Sequence, residues 1–588
     1  MRRLFFLLLL ATLVGVVIAG AGYLLLRHEA PGWGAAKVLT LTLDAPLREQ
    51  ALEPTLPFLG REEPASLALL YRGFLAARAD PTVKGVALYI QDANFGLAKA
   101  QELRRQISAL DRAGKPVRCY LETAGEGGNG TLEYYLASAC SSITLAPAGE
   151  INLLGLFADS PFLRGGLDKL RIEPSFLTAG EFKSAGEIFT EVRHSPAARL
   201  ALDALLDSFY NQIVDGIASA RKSDAATVRS WIDTAPISAE RALKLGLVDE
   251  LAYPDEFRDG LDELGEDAGE EAARVGFLDY ARQRSGRQPG GKRIAILFAQ
   301  GAIVRGGSGS DPFASEIFLG SADMATELRA LAEDDAVVAV VLRIDSPGGS
   351  ALASDLILRE VDLLRAKKPL VVSMSDVAAS GGYYIAARAT RIVAEPATIT
   401  GSIGVVTGKL ATGRFQEELL GITHDPLQRG ANADLFSGLK PFDERQAALV
   451  RRRVSEIYGR FLDHVSAGRK LSRSAVEAVA GGRVWTGSEA LAVGLVDELG
   501  GLDRAVALAR EAAQISESAE LPLIFLPKPP SFLALFSSNG GTGLEARLAA
   551  AVAARFSARL GAGLGVRPPR PPLELELDAA WAELARGL

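Results

Sequence analysis

The chain has 588 residues, of which 48% are hydrophobic, and its formal net charge at pH 7 is −8. This length predicts roughly three or four domains, and the interspersed acidic and basic residues argue against nucleic acid as a partner. The chain has four histidines and neither a CxxC nor an HExxH motif, so we predict no metal site and no cofactor. The two cysteines, Cys119 and Cys140, are expected either to be buried thiols or to form a disulfide bond.

The first predicted element is an apolar N-terminal segment. Arg2 and Arg3 precede an uncharged run over residues 4–26, and Arg27 follows it. As a helix this run would span about 35 Å, enough to cross the roughly 30 Å hydrocarbon core of a bilayer. It also extends beyond a group of small residues that could mimic a signal-peptidase cleavage site. We therefore predict an uncleaved anchor over residues 1–28, with a cytoplasmic N-terminus and the bulk of the chain across the membrane.

Apolar strands and helical segments alternate after the predicted anchor. Strands are expected at residues 37–43, 85–90, 294–298 and 337–342, and helices at 98–113 and 353–367. This alternation predicts an α/β fold with parallel strands. A polar, Gly- and Arg-rich stretch predicts a linker, 281–292, between a first domain, 29–280, and a second domain, 293–525. The Pro- and Ala-rich tail, 526–588, would form an interfacial helix, pack on its own protein or order only in part.

The two predicted domains are copies of one module. The sequence YYLA beginning at Tyr134 matches YYIA beginning at Tyr383, 249 residues later. Farther along, the sequence GLVDEL begins at Gly246 and again at Gly494, 248 residues later. Matches at nearly constant spacing over more than a hundred residues indicate an internal duplication.

The two copies differ in complementary ways. The second copy carries Ser380 in the motif AASGG, and the first copy has Thr131 at the matching position. Conversely, the first copy carries Lys183 in the motif EFKSA, where the second has Ala433. Because a serine turn survives in one copy and a lysine motif in the other, we predict that both copies contribute to a single site.

The motifs AASGGYYIA, TGSIGV, DSPGG and EFKSA resemble those of the long, duplicated form of signal peptide peptidase A, a family of membrane-anchored serine proteases. The resemblance extends to about residue 525 and implies two tandem ClpP/crotonase-like domains. It implies peptide substrates such as cleaved signal peptides, and a homo-oligomer, expected to be a tetramer. It also implies a single-pass protein of a bacterial-type inner (plasma) membrane, with its catalytic bulk on the periplasmic side.

The resemblance implies a catalytic dyad in which Ser380 is the nucleophile and Lys183 the general base. A serine hydroxyl is a weak nucleophile until a neighbouring base takes its proton. A lysine can take that proton only when it is neutral, a state that dry surroundings favour. Glu181 and Glu187 flank the lysine, so the dyad requires both carboxylates to point away from it.

The same resemblance places an oxyanion hole at the backbone N–H groups of Gly349 and Gly381, with Gly348 beside them. Glycine lets backbone donors approach a reacting group without interference from a Cβ. Ser402, in the motif TGSIGV, matches a position that can hydrogen-bond and orient the lysine.

Three alternatives remain open from the sequence. His194 or His424 could belong to a histidine-based triad, although neither lies in a motif that the copies share. The same superfold could instead carry a crotonase-type acyl-CoA enzyme, in which backbone N–H groups stabilise an enolate. A third possibility is a catalytically inactive scaffold in membrane-protein quality control.

Overall fold

The computed structural model describes residues 36–50, 65–266, 273–284, 291–311, 316–516 and 521–528. The predicted anchor and nearly all of the predicted tail lie outside these residues. Among the residues described, no helix is both long enough and apolar enough to span a bilayer. The described chain has a mixed α/β fold with two main sheets, one in each half.

The elements of the first half follow one another as strands with intervening helices. Its strands are β1 (Lys37–Leu43), β2 (Val83–Ile90), β3 (Val117–Leu121), β4 (Ser142–Leu145), β5 (Glu150–Ile151), β6 (Glu173–Ala179), β7 (Ile237–Ser238), β8 (Glu250–Leu251) and β9 (Ala273–Gly276). Its helices are α1 (Leu67–Ala79), α2 (Leu97–Arg112), α3 (Thr131–Ala137), α4 (Arg164–Lys169), α5 (Glu187–Thr190), α6 (Pro196–Ala220), α7 (Ala225–Asp233), α8 (Ala239–Leu245), α9 (Pro254–Gly260), α10 (Glu263–Glu266) and α11 (Phe277–Arg284).

The second half repeats this order. Its strands are β10 (Arg293–Gln300), β11 (Ala302–Val304), β12 (Gly309–Asp311), β13 (Glu316–Gly320), β14 (Val337–Ser346), β15 (Leu370–Ala379), β16 (Arg391–Ala394), β17 (Ile399–Gly401), β18 (Val405–Ala411), β19 (Val484–Thr486), β20 (Glu498–Leu499) and β21 (Leu523–Leu526). Its helices are α12 (Ser321–Glu333), α13 (Ala351–Arg365), α14 (Gly381–Ala386), a π-helical turn (Phe415–Leu419), α15 (Glu444–Arg469), α16 (Arg473–Val479), α17 (Gly487–Ala492) and α18 (Leu502–Ala512).

The main sheet of each half is largely parallel. The first has the strand order β8-β4-β3-β2-β1-β9, and the second has the order β19-β17-β15-β14-β10-β21; β16 also pairs with β15, and β20 pairs with β16. In the second sheet only β19 runs antiparallel to its neighbour. Every residue of the central strand β15 is buried, as expected for a parallel strand that helices cover on both faces.

Equivalent hydrogen bonds in the two halves support the duplication. The hydroxyl of Tyr134 donates to the carbonyl of Leu247 at 2.8 Å, and the hydroxyl of Tyr383 donates to the carbonyl of Leu495 at 2.9 Å. In both cases the tyrosine begins the repeated YYxA motif and its acceptor lies in the repeated GLVDEL motif. The repeated sequences therefore have the same structural role in both halves: the tyrosine joins a short helix to the GLVDEL segment.

The structure gives the bounds of the predicted helices and shows an additional helix at the start of the predicted linker. The helices expected at 98–113 and 353–367 are α2 and α13, each displaced by one or two residues. Helix α11 extends to Arg284, into the stretch where the sequence predicts a linker, and Ala281 is fully buried. Both cysteines are buried free thiols in the first core.

Candidate active site

A strand of the first half pairs with a strand of the second half. β6 runs antiparallel to β18, with residue pairs from Glu173 and Ala411 to Ala179 and Val405. Because β6 leads directly into the EFKSA motif, this pairing carries Lys183 out of its own half and toward the second sheet.

Ser380 lies in the tight turn between β15 and α14. Its φ of 51° and ψ of −117° are uncommon for a residue other than glycine, and such strained backbone is concentrated at functional sites. The amide of Ser380 donates to the carbonyl of Gly401 at 2.9 Å, which fixes the turn against β17. Only 8% of the residue is exposed.

The register of β15 and β17 explains why a second serine lies beside Ser380. The strands run parallel, with Ala379 opposite Gly401. Ser380 and Ser402 are the next residues on the two strands, so they leave the sheet side by side. Ser402 also has a positive φ, 50°, and is buried.

Lys183 completes this group. Its Nζ lies 3.1 Å from Oγ of Ser380 and 3.0 Å from Oγ of Ser402, and the residue is 4% exposed. Both predicted dyad residues and the predicted orienting serine are therefore within hydrogen-bonding distance, although they come from different halves. A neutral amine at this place can accept the proton of the Ser380 hydroxyl.

The two glutamates that flank Lys183 in sequence point elsewhere. Glu187 accepts hydrogen bonds from the amide of Ser195 at 3.0 Å and from its hydroxyl at 2.7 Å. Glu181 is exposed. Glu187 therefore meets the requirement that it point away from the lysine.

A pair of glycines that the sequence analysis did not single out holds the lysine turn. The amide of Phe182 donates to the carbonyl of Gly481 at 2.7 Å. Gly482 has a φ of 84°, and a Cβ there would lie 2.6 Å from the Cβ of Lys183. The signal available in the sequence is the Gly-Gly pair before β19, since Asp233-Thr234 stand at the matching positions, 248 residues earlier, in the first copy.

We expect Gly482→Ala to lower kcat by about 10²-fold, because displacing a catalytic group by about 1 Å has an effect of this size. Gly494→Ala is the matched control, since Gly494 has a similar φ of 78° but a Cβ there would meet only Leu471, at an ordinary contact distance of 3.8 Å. Both variants should lose some thermal stability through backbone strain. Peptide-cleavage kinetics of the pair are the measurement, and equal activity in the two would contradict the role given to Gly482.

Gly349 and Gly381, the two predicted oxyanion donors, lie close to Ser380. The residues on either side of Gly349 both form hydrogen bonds with Ile303. The amide of Ile303 donates to the carbonyl of Gly348 at 2.7 Å, and the amide of Ser350 donates to the carbonyl of Ile303 at 2.8 Å. The N–H of Gly349 therefore points away from β11. Gly381 begins α14, where N–H groups have no acceptor within the helix. A Cβ on Gly381 would lie 3.2 Å from the Gly349 nitrogen, so the two residues lie close together.

Gly348 shapes this loop instead of offering a donor to it. Its amide donates to the hydroxyl of Ser346 at 3.2 Å, and that hydroxyl donates to the carbonyl of Gly301 at 2.7 Å. Its φ of 111° is accessible only to glycine. Gly348 thus fixes the conformation in which Gly349 presents its amide.

A cleft of about 460 Å³ opens onto Lys183 and Ser380. Its walls are mainly apolar and include Val405, Phe436, Val450, Val454, Ile457 and Phe461. Tyr384 also lines the cleft and donates to the carboxylate of Asp355 at 2.7 Å. Burial and this carboxylate raise the pKa of Tyr384 well above its ordinary value, so the phenol stays neutral.

The histidines considered for a triad lie outside the lining of this cleft. The ring of His194 packs edge-on against Phe162, with the ring centroids 5.0 Å apart. The imidazole of His424 pairs with the side chain of Gln416 at 2.7 Å on an exposed surface. Among the described residues, Lys183 is the basic group next to the serine.

The matching turn in the first half is closed by its own hydrogen bonds. The hydroxyl of Thr131 donates to the side chain of Asn129 at 2.7 Å and accepts from the amide of Gly155 at 2.9 Å. Thr131 is 2% exposed. The turn at Thr131 in the first half therefore has a structural role, whereas the matching turn at Ser380 in the second half lines a cleft.

Comparison with known proteins agrees with this arrangement. The model of peptidase family S49 matches residues 109–266 and 362–516, one match in each half. The chain is 35% identical over 474 residues to the chloroplastic serine protease SPPA of Arabidopsis thaliana, covering 80% of this chain and 69% of that protein. It is 33% identical over 449 residues to Protease 4 of Haemophilus influenzae, covering 73% of this chain and 70% of that protein.

Protease 4 of Salmonella typhi is 32% identical over 455 residues, with 75% of this chain and 71% of that protein covered. These relatives and the family matches confirm the resemblance inferred from the motifs. The chain belongs to peptidase family S49 and is a serine peptidase built on a duplicated domain.

Proposed function

We propose that this chain is a membrane-anchored endopeptidase that cleaves extended, apolar peptides, such as leftover signal peptides, with a dyad of Ser380 and Lys183. The observation that carries the proposal is the 3.1 Å between Nζ of Lys183 and Oγ of Ser380 in a buried place at the end of an apolar cleft. The alternative of an acyl-CoA enzyme loses its support, because the relatives are serine peptidases.

Acylation begins when the neutral amine of Lys183 takes the proton of the Ser380 hydroxyl as Oγ attacks the scissile carbonyl. The carbonyl oxygen becomes an oxyanion, and the N–H groups of Gly349 and Gly381 donate to it. As the tetrahedral intermediate collapses, the protonated lysine gives its proton to the leaving amine. The products of this stage are an ester on Ser380 and the released C-terminal fragment.

Deacylation repeats these steps with water as the nucleophile. The neutral Lys183 takes a proton from water as the hydroxide attacks the ester carbonyl, and it returns that proton to Oγ of Ser380. Ser402, 3.0 Å from Nζ, keeps the amine directed at the reaction centre. The pairing of β15 with β17 fixes the position of Ser402 beside Ser380. Ser402 can therefore orient the Lys183 amine without any movement of the backbone.

The shape and composition of the cleft support the choice of substrate. Its apolar walls favour side chains of the kind found in the hydrophobic core of a signal peptide. The first residues of β18, 405–407, also line it, which suits a substrate in an extended conformation. Folded proteins have few extended segments that are free to enter a cleft with buried catalytic groups.

We propose that the segment 1–28 anchors the protein in a bacterial-type inner membrane, with the catalytic bulk on the periplasmic side. We also propose that the protein forms a homo-oligomer, and the resemblance to the family favours a tetramer. The uncharged length of residues 4–26 and the preceding arginines support the anchor and its orientation. Cell fractionation tests this part: the full chain should enter the membrane fraction, and a chain without residues 1–28 should leave it.

Cleavage of matched peptides tests the proposed activity. The purified full chain should cleave an unfolded peptide with an apolar core, and cleave a polar peptide of the same length at least about 10-fold more slowly. A serine-directed fluorophosphonate should label Ser380, and Ser380→Ala should remove both labelling and cleavage. A chain that folds but neither cleaves peptides nor takes up the label would be the inactive scaffold, and the proposal would fail.

A further inference from the structure

A buried ammonium from the first half lies among carboxylates directly behind the proposed site. Nζ of Lys99, in the first turn of α2, lies 2.6 Å from Asp345, 3.1 Å from Asp376 and 3.7 Å from Glu49. The side chain of Lys99 is 7% exposed, and those of its partners range from 1% to 14%. The mechanism above does not use any of these groups.

Two of these carboxylates belong to the strands that carry the proposed catalytic groups. Asp376 lies in β15, four residues before Ser380. Asp345 lies near the end of β14, four residues before Gly349, and its carboxylate also accepts from the amide of Val377 at 3.2 Å. Lys99 thus links the strand that ends at the nucleophile to the strand that ends at the oxyanion loop.

Helix α2 is built to bring its first turn against these strands. Gly96 precedes the helix and has no side chain to cap it. The carboxylate of Asp376 takes that role from the other half, accepting from the amides of Gly96 at 3.1 Å and Lys99 at 2.9 Å. A Cβ on Gly96 would overlap this carboxylate. The close approach of the two halves therefore depends on glycine at this position.

The charge of Lys99 is maintained by its surroundings. Burial alone lowers the pKa of a lysine, but the carboxylates of Asp345, Asp376 and Glu49 raise the pKa of Lys99 above its ordinary value. The ammonium therefore persists at every pH at which the enzyme works. Without it, the carboxylates of Asp345 and Asp376 would face each other with no ammonium bound to both, and we expect the ends of β14 and β15 to shift relative to each other.

We propose that Lys99 is a positioning residue of the peptidase, whose ammonium holds Asp345 and Asp376 together and thereby aligns Ser380 with the Gly349 amide. This inference rests on the proposed dyad site and extends it: the first half supplies, besides Lys183, the cation that sets the distance between nucleophile and oxyanion donor. Lys99 and its three partners do not belong to the lining of the cleft.

The test compares Lys99→Met with Lys115→Met in the full chain. Lys115 is also buried in the first half, but its ammonium bonds to the carbonyls of Ala77 and Asp80, away from the cleft. Loss of either lysine should lower the thermal midpoint. Only Lys99→Met should lower kcat, by about 10²-fold as for a misplaced catalytic group, while KM stays within about threefold.

A peptide boronate distinguishes misalignment from general damage. It forms a tetrahedral adduct with the serine that mimics the transition state, so its affinity for Lys99→Met should fall in step with kcat/KM. Lys99→Arg, which keeps the cation, should recover part of kcat. If Lys99→Met does not fold, Asp376→Asn gives the same kcat and boronate readouts with the cation retained.

The proposal is overturned if Lys99→Met retains the wild-type kcat, or if Lys115→Met loses kcat and boronate affinity to the same degree. It is also overturned if Lys99→Met loses kcat but binds the boronate as tightly as the wild type. Failure of the dyad itself would be seen separately, as activity that survives Ser380→Ala or Lys183→Ala.

Discussion

Replacing Lys183 with alanine is expected to reduce kcat/KM for an unfolded or peptide substrate by at least about 10³-fold, with the chain still folded. The reason is geometric: Nζ of Lys183 is 3.1 Å from Oγ of Ser380, and both are nearly excluded from solvent. Truncation removes the base and leaves the Ser380 hydroxyl with no group to accept its proton. Steady-state peptide cleavage measures the effect.

The companion variants separate the dyad from its surroundings. Ser380→Ala should lose as much activity as Lys183→Ala, and the double variant should be hardly worse, because residues that act as a unit have non-additive effects. Lys169→Ala, an exposed lysine at the end of α4, should cleave at the wild-type rate. Full activity in Lys183→Ala would end the dyad proposal.

The residues of the candidate site were accessible from the sequence because the duplication supplies an internal comparison. Ser380 and Lys183 stand out only when their counterparts, Thr131 and Ala433, are placed beside them. The reciprocal pattern shows that both halves share one site, but it does not show how they reach it. That answer is the β6–β18 pairing, and pairing between strands more than two hundred residues apart leaves no local signature in composition or periodicity.

The roles of particular glycines and buried charged residues also could not be predicted from the sequence. Gly482 is one of many glycines, and only the position of its missing Cβ beside Lys183 distinguishes it. From the sequence alone, Lys99 and Arg343 would be expected on the surface, because lysine and arginine side chains are usually exposed to solvent. Their burial follows from the docking of two modules, each of which supplies the counterions of the other.

The strands and helices themselves were predictable where their pattern was strong. β1 has the bounds expected from the alternation over 37–43, and the apolar run over 337–342 forms the core of β14. The C-terminal limit of the first module is harder to read, because α11 carries arginines and glutamine among its buried residues. A short helix with one buried face and charged residues on its other face has the same composition as a linker. Composition therefore does not distinguish the two.

Arg343→Met is expected to produce the largest loss of stability, about 3–5 kcal/mol, because it removes the nearer of the two cations that face the buried carboxylate of Glu49 and leaves only Lys99, 3.7 Å away. Arg343 is fully buried, and its Nε donates to Glu49 at 2.9 Å. Its other nitrogens donate to the hydroxyls of Ser373 at 2.9 Å and Ser375 at 3.1 Å. Scanning calorimetry of the full chain should show a clear fall in the unfolding midpoint.

The same measurement on a double variant tests the cause. Arg343→Met with Glu49→Gln removes the uncompensated charge as well, so it should be more stable than Arg343→Met alone. Arg414→Met is the control, since Arg414 pairs with Glu418 on an exposed surface, where ion pairs contribute little. A double variant no more stable than the single one would show that lost packing, not the loss of charge balance at Glu49, causes the destabilisation. Glu49 belongs to the first half and Arg343 to the second. The stability that the double variant regains would therefore also measure how much this ion pair contributes to the contact between the two halves.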